Sequence, residues 1–234
     1  MADQKIEALE YENSENITSG GTIEVKLDNG DTTVFPTFKA RRMILYHGTG
    51  ISGIKEFRES IAATIGAGVY LTSDFGKAVS YSLLRAESDS DKFTVYVGEI
   101  RTMNLLDLTE ADSWLPLGRI MTPILEEEKV RTDFPDDWQQ YHKDSVHRAA
   151  ERALERIKSG TIRGPKDVLY NFGGTTRRLF SGLGFDGIKA IEGGEGWTNY
   201  NTTGDHDTFV IFDPTKVKIL QEIQVASYLP KRDR

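Results

Sequence analysis

The sequence predicts an α+β fold, with short strands gathered toward both ends of the chain and helices between them. Three observations carry this. Runs with strand character, apolar–polar alternation or β-branched and aromatic clusters, occur before about residue 100 and again after about residue 186. The stretch between them is dominated by Leu, Glu and Arg, with helical spacing of its apolar residues. Strands and helices do not alternate strictly, as a parallel sheet would require. A chain of 234 residues can bury a real core as one large domain, or as one domain with an insertion. The expected organisation is an N-terminal arm and hairpin over residues 1–40 and a main domain over 41–234, with a helical insertion from about 107 to 164.

The elements follow in order. The first twenty residues are polar and end Gly/Ser/Asn-rich, the pattern of a weakly packed arm. Thr22 to Phe35 alternates around Asp28-Asn29-Gly30-Asp31, and Asn-Gly suits a type I′ hairpin turn, with Pro36 closing the hairpin. Arg42 to Tyr46 reads as a short buried strand running into the loop His47-Gly48-Thr49-Gly50. Gly66-Ala67-Gly68 releases a strand at Val69-Tyr70-Leu71, and Ser73 or Asp74 caps a helix through Leu84. Phe93 to Ile100 has strand composition. Pro116, Pro123 and Pro135 read as breaks in the helical region. From Asp137 an amphipathic helix lines up Ala149, Ala153, Leu154 and Ile157 and stops at Gly160. A helix from about Thr175 to Leu183 leads through a turn to the strand ending at Ile191, then a Gly-rich loop and the strand Thr208 to Phe212. Asp213-Pro214 ends that strand, and Val217 to Ile223 can form one more.

Composition excludes several function classes. There is no cysteine, so disulfides, thiolate nucleophiles and Cys-ligated metal sites are out. A net charge of −7 opposes tight, sequence-independent nucleic-acid binding, which depends on neutralising phosphates. No apolar run approaches the roughly 20 residues of a membrane span. The opening residues MADQKIEALE lack a basic segment followed by an apolar core, so the expectation is a cytoplasmic protein, or one delivered into a target cell's cytosol. The sequons at Asn16 and Asn201 are then chance matches.

Other motifs have bland explanations. Gly182-Leu183-Gly184-Phe185-Asp186-Gly187 matches G-x-G-x-x-G, but the order here is helix, glycines, strand, whereas a dinucleotide fingerprint needs strand, glycines, helix. His142 and His147 are five positions apart, off the helical spacing that lets two imidazoles share a metal. Arg148, Arg152 and Arg156, with Glu151 and Glu155 between them, read as a solvated face with ion pairs.

Three remaining blocks are more specific together than apart: LYHGTG, GVYLTSDFGKAVSY, and DHDTFVIFDPTKVKIL preceded by GFDGI. They resemble the split motif of the ADP-ribosyltransferase superfamily, in its diphtheria-toxin and poly(ADP-ribose) polymerase branch with a His-Tyr-Glu triad. The tyrosine separation, 81 − 70 = 11, agrees with the polymerase branch. The resemblance covers short blocks between about Leu45 and Leu220 and leaves the region from Asp107 to Gly164 unmatched. It implies two small antiparallel sheets around a cleft for NAD⁺, which serves as substrate. It further implies that His47 bonds the adenine-side ribose, the Gly48 backbone holds the carboxamide with Thr49 supporting the loop, and Tyr70 and Tyr81 enclose the nicotinamide ring. The leaving group is already a pyridinium, so no metal is needed to expel it.

The third position departs from the family pattern. Counting back from Phe212 lands on Thr208, and the neighbouring acid Asp207 has the opposite side-chain parity in a regular strand. Asp207 moved inward by a bulge, or Thr208 itself, is the expected occupant, with Asp205 and Glu195 in reserve. The loop from Glu192 to His206, with Trp197, Asn199 and Tyr200, is expected to face the acceptor. The implied function is mono-ADP-ribosylation of a macromolecule, protein slightly favoured over nucleic acid, in a toxin- or effector-like protein that an antitoxin-like partner could neutralise. An NAD⁺ glycohydrolase and a non-catalytic NAD- or ADP-ribose-binding module stay open.

Overall fold

A computed structural model describes residues 17–18, 20–26, 30–60, 64–85, 93–136, 138–192 and 205–225. Two long strands organise it: β3 (Thr32–Thr49) and β5 (Thr94–Asp107), antiparallel from Thr37↔Leu106 to Thr49↔Thr94. Their length lets each strand take different neighbours along its course. The start of β3 pairs with β2 (Thr22–Lys26), its middle with β1 (Ile17–Thr18), and Tyr46 near its end with Thr72 of β4 (Val69–Thr72). The start of β5 takes β8 (Val217–Gln224), and its end runs parallel to β6 (Gly187–Glu192). β7 (His206–Ile211) is antiparallel to both β4 and β6. Hydrogen bonds therefore run in a closed circuit, β3–β4–β7–β6–β5 and back to β3.

The fold is α+β, as the sequence predicts, but the two small separate sheets are replaced by one connected system of the eight described strands. Pro36 does not end the hairpin. It lies within β3 opposite Thr22, where the partner strand begins and a missing N–H costs little. His47, Gly48 and Thr49 likewise belong to β3 rather than to a loop, and β3 passes residue 40 without interruption.

The helices α1 (Phe75–Arg85), α2 (Trp114–Lys129), α3 (Gln140–Ser159), α4 (Lys166–Leu169) and α5 (Gly173–Gly182) cover the strands. Asp74 caps α1, its Oδ1 accepting from the Lys77 N–H at 3.1 Å. Pro116 and Pro123 lie inside α2 rather than breaking it. The first needs no donor in the opening turn, and burial of Leu117, Ile120, Met121 and Leu125 against Val146, Ala149, Ala150 and Ala153 of α3 outweighs the bond lost at the second. Gly160 ends α3 in the left-handed conformation at φ 67°. Gly182 ends α5, Gly184 turns the chain at φ 85° and Gly187 opens β6, so the order is helix, turn, strand, as the residues predict.

Two cores result. One, under the helices, joins Phe35, Leu106, Leu117, Met121, Phe180, Ile188, Val210 and Phe212. The other, on the opposite strand faces, joins Leu45, Val69, Leu71, Tyr96, Ile100, Leu105, Phe209 and Ile211. Glu99 is buried at 2% exposure, with its two oxygens bonded to Arg42 at 2.5 Å and Arg101 at 2.7 Å. The Arg101 bond, and then Arg42, hold its carboxyl below the usual range against the opposing effect of burial.

Candidate active site

β3 carries His47 to the edge of β4. Its Nδ1 is 2.7 Å from the Tyr70 carbonyl. A carbonyl only accepts, so Nδ1 carries a proton and donates, which fixes the ring's orientation. The ring also meets Phe57 edge-on, centroids 5.1 Å apart. Thr49 is buried, and its hydroxyl accepts from the Ile51 N–H at 3.2 Å, which ties down the exit from the strand. Gly48 has a steric reason of its own: a Cβ there would overlap the Ala78 carbonyl oxygen and crowd the Ser82 nitrogen at 2.8 Å. Only glycine lets α1 lie this close to β3.

Tyr70 is held through its hydroxyl, which donates to the Gly66 carbonyl and accepts from the Ile65 N–H, each at 2.9 Å. Its ring packs against the core under the helices. Burial, with the nearby charge of Glu192 adding to it, raises its proton affinity far above that of an ordinary tyrosine. Tyr70 is therefore a neutral, immobilised ring.

Tyr81, on α1, reaches across to the ends of β6 and β7. Its hydroxyl donates to Glu192 Oε2 at 3.3 Å and lies 3.2 Å from His206 Nε2, the two rings meeting at 5.7 Å. The Thr208 hydroxyl donates to the same Oε2 at 3.0 Å. Register explains the meeting. Ala190 pairs with Thr208 and Glu192 with His206, while Tyr70 pairs with Val210 and Thr72 with Thr208. Antiparallel partners share a face, so Tyr70, Thr208, His206 and Glu192 stand on one side.

Glu192 is 4% exposed and ends β6. Burial raises its proton affinity, opposed by the hydrogen bonds from Thr208 and then Tyr81 and by the charge of Lys166. Its second oxygen, Oε1, is buried without a hydrogen-bond partner among the described residues. A carboxylate so held can offset positive charge developing beside it, or accept a hydrogen bond from a sugar hydroxyl.

Of the sequence-predicted residues, Tyr81 and Thr208 thus meet at Glu192 with Tyr70 on the same face, while His47 is bonded to the Tyr70 carbonyl but turns its ring to Phe57 and Tyr96 on the other face. Asp207 is not among them. β7 keeps regular register from His206 to Ile211, so no bulge turns Asp207 inward, and it pairs with Ile191 on the opposite face. Asp205 is exposed. Glu195, Trp197, Asn199 and Tyr200 lie outside the described residues. Glu192 and His206 were missed as site residues, although the strand Gly187-Ile188-Lys189-Ala190-Ile191-Glu192 carries a signal: Glu192 shares the parity of the buried Ile188 and Ala190.

Neither a protein-family model nor a curated protein matches the chain. Among solved structures it is similar to a chain in the crystal structure of the M. tuberculosis MbcT–MbcA toxin–antitoxin complex, at 10% identity over 78% of this chain and 84% of that one, with a TM-score of 0.37. A likeness that loose leaves the meaning of this site to its own residues.

Proposed function

We propose that the protein cleaves NAD⁺ at the nicotinamide glycosidic bond and transfers a single ADP-ribose to a macromolecule. The observation that carries this reading is the meeting of the second and third resembling blocks at one buried carboxylate, Tyr81 and Thr208 both donating to Glu192, with His47 of the first block bonded to the Tyr70 carbonyl. In the reaction the bond from ribosyl carbon to ring nitrogen breaks and its electron pair neutralises the pyridinium. Positive charge develops on the sugar, and an acceptor lone pair forms the new bond.

This chain's residues fit those needs. His47 is oriented by its bond to the Tyr70 carbonyl, so the edge carrying Nε2 is preset for a ribose hydroxyl. The phenols of Tyr70 and Tyr81 are anchored by their hydroxyls, which leaves rigid aromatic faces for a planar cationic ring. The surrounding burial strengthens electrostatic stabilisation of the sugar. The acidic charge balance favours a protein acceptor. A toxin- or effector-like role in a cytosol, with a neutralising protein partner, belongs to the same reading.

The test is incubation with labelled NAD⁺ and whole-cell extract, followed by separate protease and nuclease digestion. Label removed by protease alone is the expected result. Nuclease-sensitive label moves the acceptor to nucleic acid, and fast nicotinamide release without extract makes the protein a glycohydrolase. Tight NAD⁺ binding without turnover makes it a binding module.

A further inference from the structure

Resting on that reading, the structure assigns the reaction's carboxylate to Glu192 of β6, held by the Thr208 hydroxyl of β7, in place of an acid on β7 itself. Thr208 stands where the resemblance expects the acid, but it carries no charge. Its hydroxyl is instead spent on Glu192 Oε2. The neighbouring strand ends with its carboxylate on the same face, so the charge comes from one strand over. Asp207, the nearest acid on β7, faces the other way.

The two buried glutamates of the described core show why Glu192 is the functional one. Glu99 has both oxygens on guanidinium groups, a structural ion pair that satisfies it. Glu192 meets two neutral hydroxyls through one oxygen, and its other oxygen has no hydrogen-bond partner among the described residues. A carboxylate kept buried with an unsatisfied oxygen is costly, and such costs persist where a ligand completes the bonding. Oε1 would accept from a hydroxyl of the nicotinamide-side ribose and offset the charge that develops as the glycosidic pair leaves with the nicotinamide nitrogen. The acceptor's proton passes to water, so no other reactant is needed. Thr208 and Tyr81 are positioning residues: they fix Oε2 and so aim Oε1.

The experiment measures NAD⁺ binding by calorimetry, nicotinamide release, and transfer of label in extract, for wild type and four variants, each checked by thermal melting. Glu192→Gln keeps the shape and should bind NAD⁺ yet release nicotinamide about 100-fold or more slowly. Asp207→Asn should stay within about twofold of wild type, since the half-buried Asp207 side chain is on the face away from the site. Thr208→Val removes a bond to the charged carboxylate, so the acidic limb of the pH–rate profile should move to higher pH, and Thr208→Ser should restore it. Tyr81, His206, Lys166 and Tyr70 also bear on that carboxylate, and all are unchanged in these variants. A folded Glu192→Gln protein retaining more than about a tenth of wild-type release overturns the assignment while the function stands. So does an Asp207→Asn loss as large as that of Glu192→Gln. Wild-type protein that neither binds NAD⁺ nor releases nicotinamide overturns the function and this assignment with it.

Discussion

At the scale of single residues, Tyr70 separates ring from hydroxyl. The hydroxyl makes two bonds to the chain at Ile65 and Gly66 and none to the carboxylate, so its role is anchoring. Tyr70→Phe should cost about 1–2 kcal/mol of stability by urea unfolding, mostly by stranding the Ile65 N–H, and leave nicotinamide release within severalfold. Tyr70→Ala should abolish release. Equal losses in both would show that the hydroxyl takes part in the chemistry. Glu192 makes the complementary case. Its folded-state proton affinity is raised, so folding favours its neutral form, and the protein loses stability as pH climbs above the ordinary carboxylate pKa of about 4.3. Glu192→Gln removes that penalty. Its melting temperature should exceed wild type at neutral and alkaline pH, with the gap closing at acid pH. A gap that widens toward acid would mean that the carboxylate is stabilised in its charged form.

At the scale of elements, the contact between α1 and β3 decides whether Tyr81 reaches Glu192. Gly48 lies where a methyl group would overlap the Ala78 carbonyl, and a backbone carbonyl in a helix cannot move aside alone. Gly48→Ala should push the helix outward, cost about 1–3 kcal/mol or more, and reduce activity further than the stability loss accounts for. Retention of full activity with a lowered melting temperature would show that α1 tolerates the shift. The glycine of His-Gly-Thr is thus explained by packing before any ligand is invoked. β6 and β7 supply the rest of the site through register: a slip of one residue would exchange Thr208 and Asp207 between faces.

At the scale of the molecule, β3 and β5 hold the circuit together, each bonded on both edges over part of its length, while among the described residues β1 and β2 pair only with β3. Amides in the middle of the circuit, such as Leu45 and Val97, should exchange with solvent most slowly, near the rate of global unfolding. Those of β2 should exchange much faster. Equal protection in β2 would mean that the hairpin unfolds only with the whole. Much of this architecture was legible in the residues: strand and helix types, the α3 stop at Gly160, the helix–turn–strand order after α5, and the approach of Tyr81 to the strand of Thr208. Local propensity and side-chain chemistry set those features, and both act within a few residues. What the chain order alone left open was which strands pair and on which side each acid stands. The closed circuit in place of two sheets, and Glu192 rather than Asp207 beside Thr208, follow from the register of β6 against β7, which is settled only when distant strands bury their apolar faces together.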